Sequence, residues 1–126
     1  MMANEDLRVI TKAKQLAKHT LIMTSNARRY PKKFRFSLVD KMQNKALEIY
    51  EMLFEANRTD IKDYKRERLE LQTKAITHCD ELMYFIELSY ELNIINSGSM
   101  EAWSKIVMDV KHMAIAWRTT YIHQNR

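Results

Sequence analysis

The sequence predicts an all-α protein, an antiparallel up-down-up-down four-helix bundle forming a single domain over residues 1–126. Two observations lead there. The 126 residues include one Gly and one Pro, whereas a many-stranded sandwich or barrel draws its frequent turns from Gly, Pro, Asn and Asp. Apolar residues instead recur at helical spacing in four stretches separated by three short joints. The length suits one core and leaves no room for a second, and a 46% hydrophobic content is enough to fold.

The first helix is expected over residues 5 to about 26. Val9, Ile10, Ala13, Leu16, Ala17, Leu21 and Met23 form its apolar stripe, and Arg8, Lys12, Gln15 and His19 gather opposite. Pro31 interrupts it, because proline lacks the amide hydrogen and disfavours helix at the preceding residue, so residues 29–36 form a joint. Ser37 with Asp40 three residues on reads as the cap of a second helix. Its seam Val39, Met42, Ala46, Ile49, Leu53 and Ala56 repeats at spacings of three and four, flanked by Leu38, Tyr50 and Phe54.

After a joint at 57–59, a third helix is expected from residue 60 to about 92, its polar opening turns projecting from the bundle. It carries two stripes, one of Leu69, Ile76, Cys79, Met83, Ile86 and Tyr90 and one of Leu71, Ala75, Leu82, Phe85 and Leu92. The last joint, 93–99, contains the only glycine, Gly98. Ser99 then caps a fourth helix with Trp103, Ile106, Val110, Met113, Trp117 and Tyr121 on one side.

Several function classes are disfavoured. Phosphate-cradling loops need clustered glycines, and Gly98 stands alone. No apolar run approaches the ~18 residues of a membrane span. Cys79 is the one cysteine, and the first six residues, with Glu5 and Asp6, lack a basic start and apolar signal core, so the expected compartment is the cytoplasm. A di-iron bundle needs Glu-x-x-His pairs, and none occurs. Asp109 and His112 read as a surface ion pair, Cys79 beside His78 as a buried structural thiol, and His19 and His123 as helix-surface residues. Met42, Met83 and Met113 read as core filling. No catalytic residue, cofactor or metal is expected.

Charge is the informative feature. The net charge is +5, yet residues 7–39 hold nine basic residues and no acid, leaving 12 basic and 16 acidic residues for the remainder. Within that tract Arg28, Arg29, Lys32, Lys33 and Arg35 are interleaved with Tyr30, Phe34 and Phe36. Cations attract phosphates through counterion release, and unpaired bases stack on exposed aromatics. Those five are the principal candidate nucleic-acid contacts, and Lys12, Lys18 and Arg8 are secondary ones. On the opposite reading, the three aromatics turn inward to cap the bundle and the cations merely solvate the loop.

The segment Tyr30-Pro31-Lys32-Lys33-Phe34-Arg35-Phe36-Ser37-Leu38 resembles the aromatic-Pro-Lys, then Arg-aromatic-Ser/Thr-Leu junction of one family of small bundles. These are proteins related to the accessory variability determinant of diversity-generating retroelements. Glu55-Ala56-Asn57 fits the same pattern, and residues 85–92 and 113–117 correspond in type to that family's third and fourth helices. The chain differs at Lys33 and Phe34, where the family often has small and acidic residues, and at Ile115 and Ala116, where it often has glycines.

The resemblance implies a non-enzymatic accessory protein that forms a basic homopentamer, binds template RNA or cDNA, and associates with a reverse transcriptase during mutagenic copying. Bundle proteins encoded in rRNA intervening sequences share the general junction and give the alternative, a protein-interaction module. A bundle enzyme or metalloprotein is the third and weakest reading.

Overall fold

Four α-helices form in the order that the periodicity predicts: α1 (Asn4–Thr24), α2 (Asp40–Arg58), α3 (Lys65–Glu91) and α4 (Ser97–Gln124). The computed structural model describes the backbone of residues 4–124 and the side chains of residues 8–120, so the side chain of Tyr121 and that of His123 lie outside the described residues. Each helix packs on its two neighbours in the ring α1, α2, α3, α4 and back to α1. Successive helices run antiparallel. Lys45 meets Glu81 where α2 crosses α3, and Lys12 meets Asp109 where α1 crosses α4.

The α2 seam is buried along its whole length, from Val39 through Met42, Ala46, Ile49 and Leu53 to Ala56. Facing it, Val9, Ala13 and Leu16 of α1, Ala75, Cys79, Leu82 and Ile86 of α3, and Trp103, Val107, Val110, Ala114 and Trp117 of α4 complete one continuous core. A fully buried Leu or Ile such as Leu16, Ile49, Leu53 or Leu82 contributes about 1.5–3 kcal/mol relative to exposure.

The element edges differ from the sequence reading, each for a local physical reason. Winding before α2 begins at Lys32, not at Ser37. A 3₁₀ turn, Lys32–Phe34, runs into a π turn, Arg35–Val39, so Ser37 lies inside a turn and caps nothing. Residues 59–64 are a turn rather than helix, since the Asp60 carboxylate accepts from the Lys62 amide at 3.0 Å and diverts the backbone.

Ser99 is not the cap of α4. The Asn96 side chain accepts from the Ser99 amide at 2.8 Å, and Gly98 lies in the first helical turn. The left-handed position is Asn93, with φ 60°, where bonds from Asn93 to Tyr90 and from Ile94 to Ser89 close the end of α3.

The opening turns of α3 do not project. Arg68 is buried over the Trp117 ring, 4.9 Å from its centroid, and donates to the Thr59 carbonyl at 2.9 Å. The two predicted stripes of α3 merge into one buried line, Arg68, Gln72, Ala75, Cys79, Leu82, Ile86 and Ser89, and Tyr90 and Leu92 are exposed. On α4, Val107 and Ala114 hold the inward positions, with Ile106 and Met113 half-buried.

Candidate functional site

The basic tract caps the end of the bundle where α1 stops and α2 starts. Asn26 organises the exit from α1: its carbonyl accepts from the amides of Arg29 and Tyr30, and its side chain accepts from the Arg28 amide at 3.0 Å. Tyr30 then anchors the cap. Only 3% exposed, it donates its hydroxyl to Ser89 on α3 at 2.9 Å, and its burial raises the phenol above its ordinary pKa. Pro31 starts the 3₁₀ turn, and its carbonyl takes the Phe34 amide at 3.0 Å.

The aromatics divide between the two readings of the sequence. Tyr30 is core, Phe34 is half-buried against it, and Phe36 is 80% exposed. The Lys33 ammonium lies 5.2 Å from the centre of the Phe34 ring. Arg28, Lys32, Lys33 and Arg35 are exposed, and none pairs with a carboxylate among the described residues. Arg29 is half-buried, with its guanidinium 3.1 Å from the Met23 sulfur.

The secondary candidates are spread along α1. Arg8 and Lys18 are exposed, but Lys12 is partly buried and lies 3.5 Å from Asp109 of α4, which Lys105 approaches at the same distance. Lys14, which the sequence reading passes over, belongs with the exposed pair. It is unpaired among the described residues and one helical turn before Lys18, a spacing visible in the sequence.

Beside the cap a cleft of about 320 Å³ opens between the end of α1 and the start of α2. Pro31, Lys32, Arg35, Val39, Asp40 and Gln43 are among the residues lining it. Thr24 donates to the Thr20 carbonyl at 2.7 Å, so its oxygen accepts from the Gln43 amide nitrogen at 2.9 Å. A wider groove of about 650 Å³ lies between α3 and α4, where the Arg118 guanidinium donates to Thr73 at 2.7 Å.

Reactive side chains elsewhere form structural pairs. His78 contacts Glu48 of α2 at 3.3 Å and Glu81 at 3.1 Å, and Lys45 contacts Glu81 at 3.1 Å, which tie α2 to α3. Asp109 pairs with the two lysines rather than with His112. Burial pushes the Cys79 thiol up to about 12, so it stays protonated and poorly nucleophilic at neutral pH. His19 is half-buried rather than fully exposed on the helix surface. It packs 5.9 Å from Trp103, ring centre to ring centre, and burial together with the nearby Arg29 lowers its pKa. Among the described residues no group of three or more His, Cys, Asp or Glu side chains is placed to hold a metal, and no helix is long and apolar enough to cross a membrane.

Comparison of this chain with protein-family models, with curated proteins and with solved structures finds no match in any of the three.

Proposed function

We propose that the protein is a non-enzymatic nucleic-acid-binding bundle, an accessory factor that holds template RNA or cDNA on its basic cap while a reverse transcriptase copies it. The observation that carries this reading is the cap itself. Four exposed cations, Arg28, Lys32, Lys33 and Arg35, stand together without carboxylate partners among the described residues, on a turn pinned by Tyr30 and beside the exposed Phe36. Such a cluster repels itself and lowers stability, whereas Lys12, Lys45, Arg66, Lys105 and Lys111 are all paired. A polyanion removes the repulsion, and an exposed aromatic beside it offers a stacking platform.

The test is anisotropy of a labelled single-stranded RNA and a DNA duplex across a salt series, with a variant carrying Arg28→Glu, Lys32→Glu and Lys33→Glu. Wild-type affinity falls steeply with salt, and the variant loses most of the affinity and flattens the slope while its melting temperature holds or rises as the repulsion is relieved. Equal binding by both proteins, or none by either near physiological salt, would remove the cap from the binding role.

A separate surface supports protein partners. Leu47, Tyr50 and Phe54 form a partly exposed apolar stripe on the outer side of α2, with the Arg58 guanidinium 5.9 Å from the centre of the Phe54 ring. This stripe is our candidate for contacts within a homopentamer or with the polymerase, distinct from the cap. Light scattering that gives a stable monomer at working concentration would eliminate the homopentamer.

A further inference from the structure

We propose that the cleft beside the basic cap is a guanine-binding subsite, in which Asp40 and Gln43 read the Watson–Crick edge of one unpaired base; the inference rests on the nucleic-acid reading above. Asp40 is the only acid between Asp6 and Glu48, so a carboxylate at this point in the most basic part of the chain needs a physical reason. Ion pairing does not supply one, because Asp40 makes no salt bridge and accepts no hydrogen bond among the described residues, although Lys32 and Arg35 line the same cleft. Capping does not supply one either. Asp40 stands in the first turn of α2, where the helix dipole favours an acid, but the chain is already wound from Lys32, the Asp40 amide is bonded to the Arg35 carbonyl, and no side-chain capping hydrogen bond is made at this helix start.

Gln43 reinforces the pattern. Its amide nitrogen is committed to Thr24, because Thr24 donates its own proton to Thr20, and that leaves the Gln43 Oε1 as an acceptor on a side chain lining the cleft. The cleft therefore offers acceptors from Asp40 and Gln43, cations from Lys32 and Arg35, and apolar surface from Pro31 and Val39. Its volume of about 320 Å³ is on the scale of one small ligand.

Guanine is the base that fits. Its N1–H and N2–H₂ groups are adjacent donors that a carboxylate can accept together, and its O6 and N7 are acceptors for a cation. Adenine and cytosine each place one amino donor beside a ring acceptor, which a carboxylate repels. Uracil and thymine place a single N–H between two carbonyls. Unpaired bases expose these edges, so the subsite selects guanine within a single strand, with the neighbouring phosphates on Lys32 and Arg35.

The experiment is anisotropy of the full chain with a U-rich RNA strand carrying isolated guanosines, against strands with inosine or adenosine at those positions and a DNA strand of matching sequence. Inosine lacks only the N2 amino group, so the loss is read without altering the protein. Wild type should bind the guanosine strands, RNA and DNA alike, about tenfold more tightly than the others, the scale of one bidentate base contact. Asp40→Asn should abolish that preference and bind the adenosine strand no less tightly than wild type, since a carboxylate that repelled phosphate has gone. Equal binding of all strands by both proteins would overturn the subsite and leave the cap reading standing. Failure of every strand to bind would overturn the cap reading and the subsite with it. Saturation by GMP alone at the strand's own affinity would overturn the assignment to a strand.

Discussion

The Trp103 indole on α4 donates its N–H to the Thr20 hydroxyl on α1 at 3.1 Å, with both residues fully buried. Thr24 and Gln43 extend the polar contacts to α2, so one hydrogen-bonded row crosses three helices beneath the basic cap. Thr20→Val keeps the shape and removes the acceptor. The stranded indole N–H should cost about 1–3 kcal/mol in urea unfolding, while Thr20→Ser, which retains the oxygen, should cost less. In a Trp103→Phe background the penalty of Thr20→Val should shrink, and a double-mutant cycle reads that coupling.

The junction of α3 and α4 yields a pair of opposite signs. Asn93 holds a left-handed backbone at φ 60°, so Asn93→Ala should destabilise by about 1–2 kcal/mol and Asn93→Gly should not. Gly98 is helical without a positive φ, and an added Cβ meets only the Asn96 side chain at an ordinary 3.5 Å. Gly98→Ala should therefore raise stability by up to about 1 kcal/mol. Thermal melts of the three variants check the set.

That pair also marks where the sequence stops being legible. The α2 seam is readable because Met42, Ala46, Ile49, Leu53 and Ala56 obey one period, and burial follows the period. On α3 the apolar residues spread over two stripes, and the buried line between them uses Arg68, Gln72 and Ser89, whose polar groups a periodicity of hydrophobicity ignores. Gly98 reads as the joint because glycine often ends helices, yet Asn93 does so here. At the cap, the cations are evident from composition. The cleft is not, because it depends on Thr24 turning Gln43 and on Asp40 lying within a winding that starts eight residues earlier.

Acid should weaken the α2–α3 contact in a defined direction. The hydrogen bond from Lys45, aided by His78, holds Glu81 below its ordinary value of 4.5. A group depressed in the folded state contributes stability that is full above the unfolded pKa and is lost as pH falls through the folded one. The melting-temperature difference between wild type and Glu81→Gln should thus be present at neutral pH and vanish on descending below 4.5. The exposure of Glu81 keeps the difference modest. A difference that grows on acidification would contradict the assignment.

Lysines of α1 separate positional charge from usable charge. Lys12, Lys14 and Lys18 are equivalent in a count of positive residues, but Lys12 is held against Asp109 while Lys14 and Lys18 share an exposed face. Releasing Lys12 to a phosphate would strand a half-buried carboxylate that only Lys105 could still compensate. Lys14→Ala with Lys18→Ala should therefore reduce the slope of log affinity against log salt, by about 0.7 for each single-strand phosphate that no longer meets a lysine. Lys12→Ala should leave that slope unchanged and instead lower stability by less than about 1 kcal/mol. A slope change with Lys12→Ala equal to that of the double variant would mean that the α1–α4 ion pair opens when nucleic acid binds.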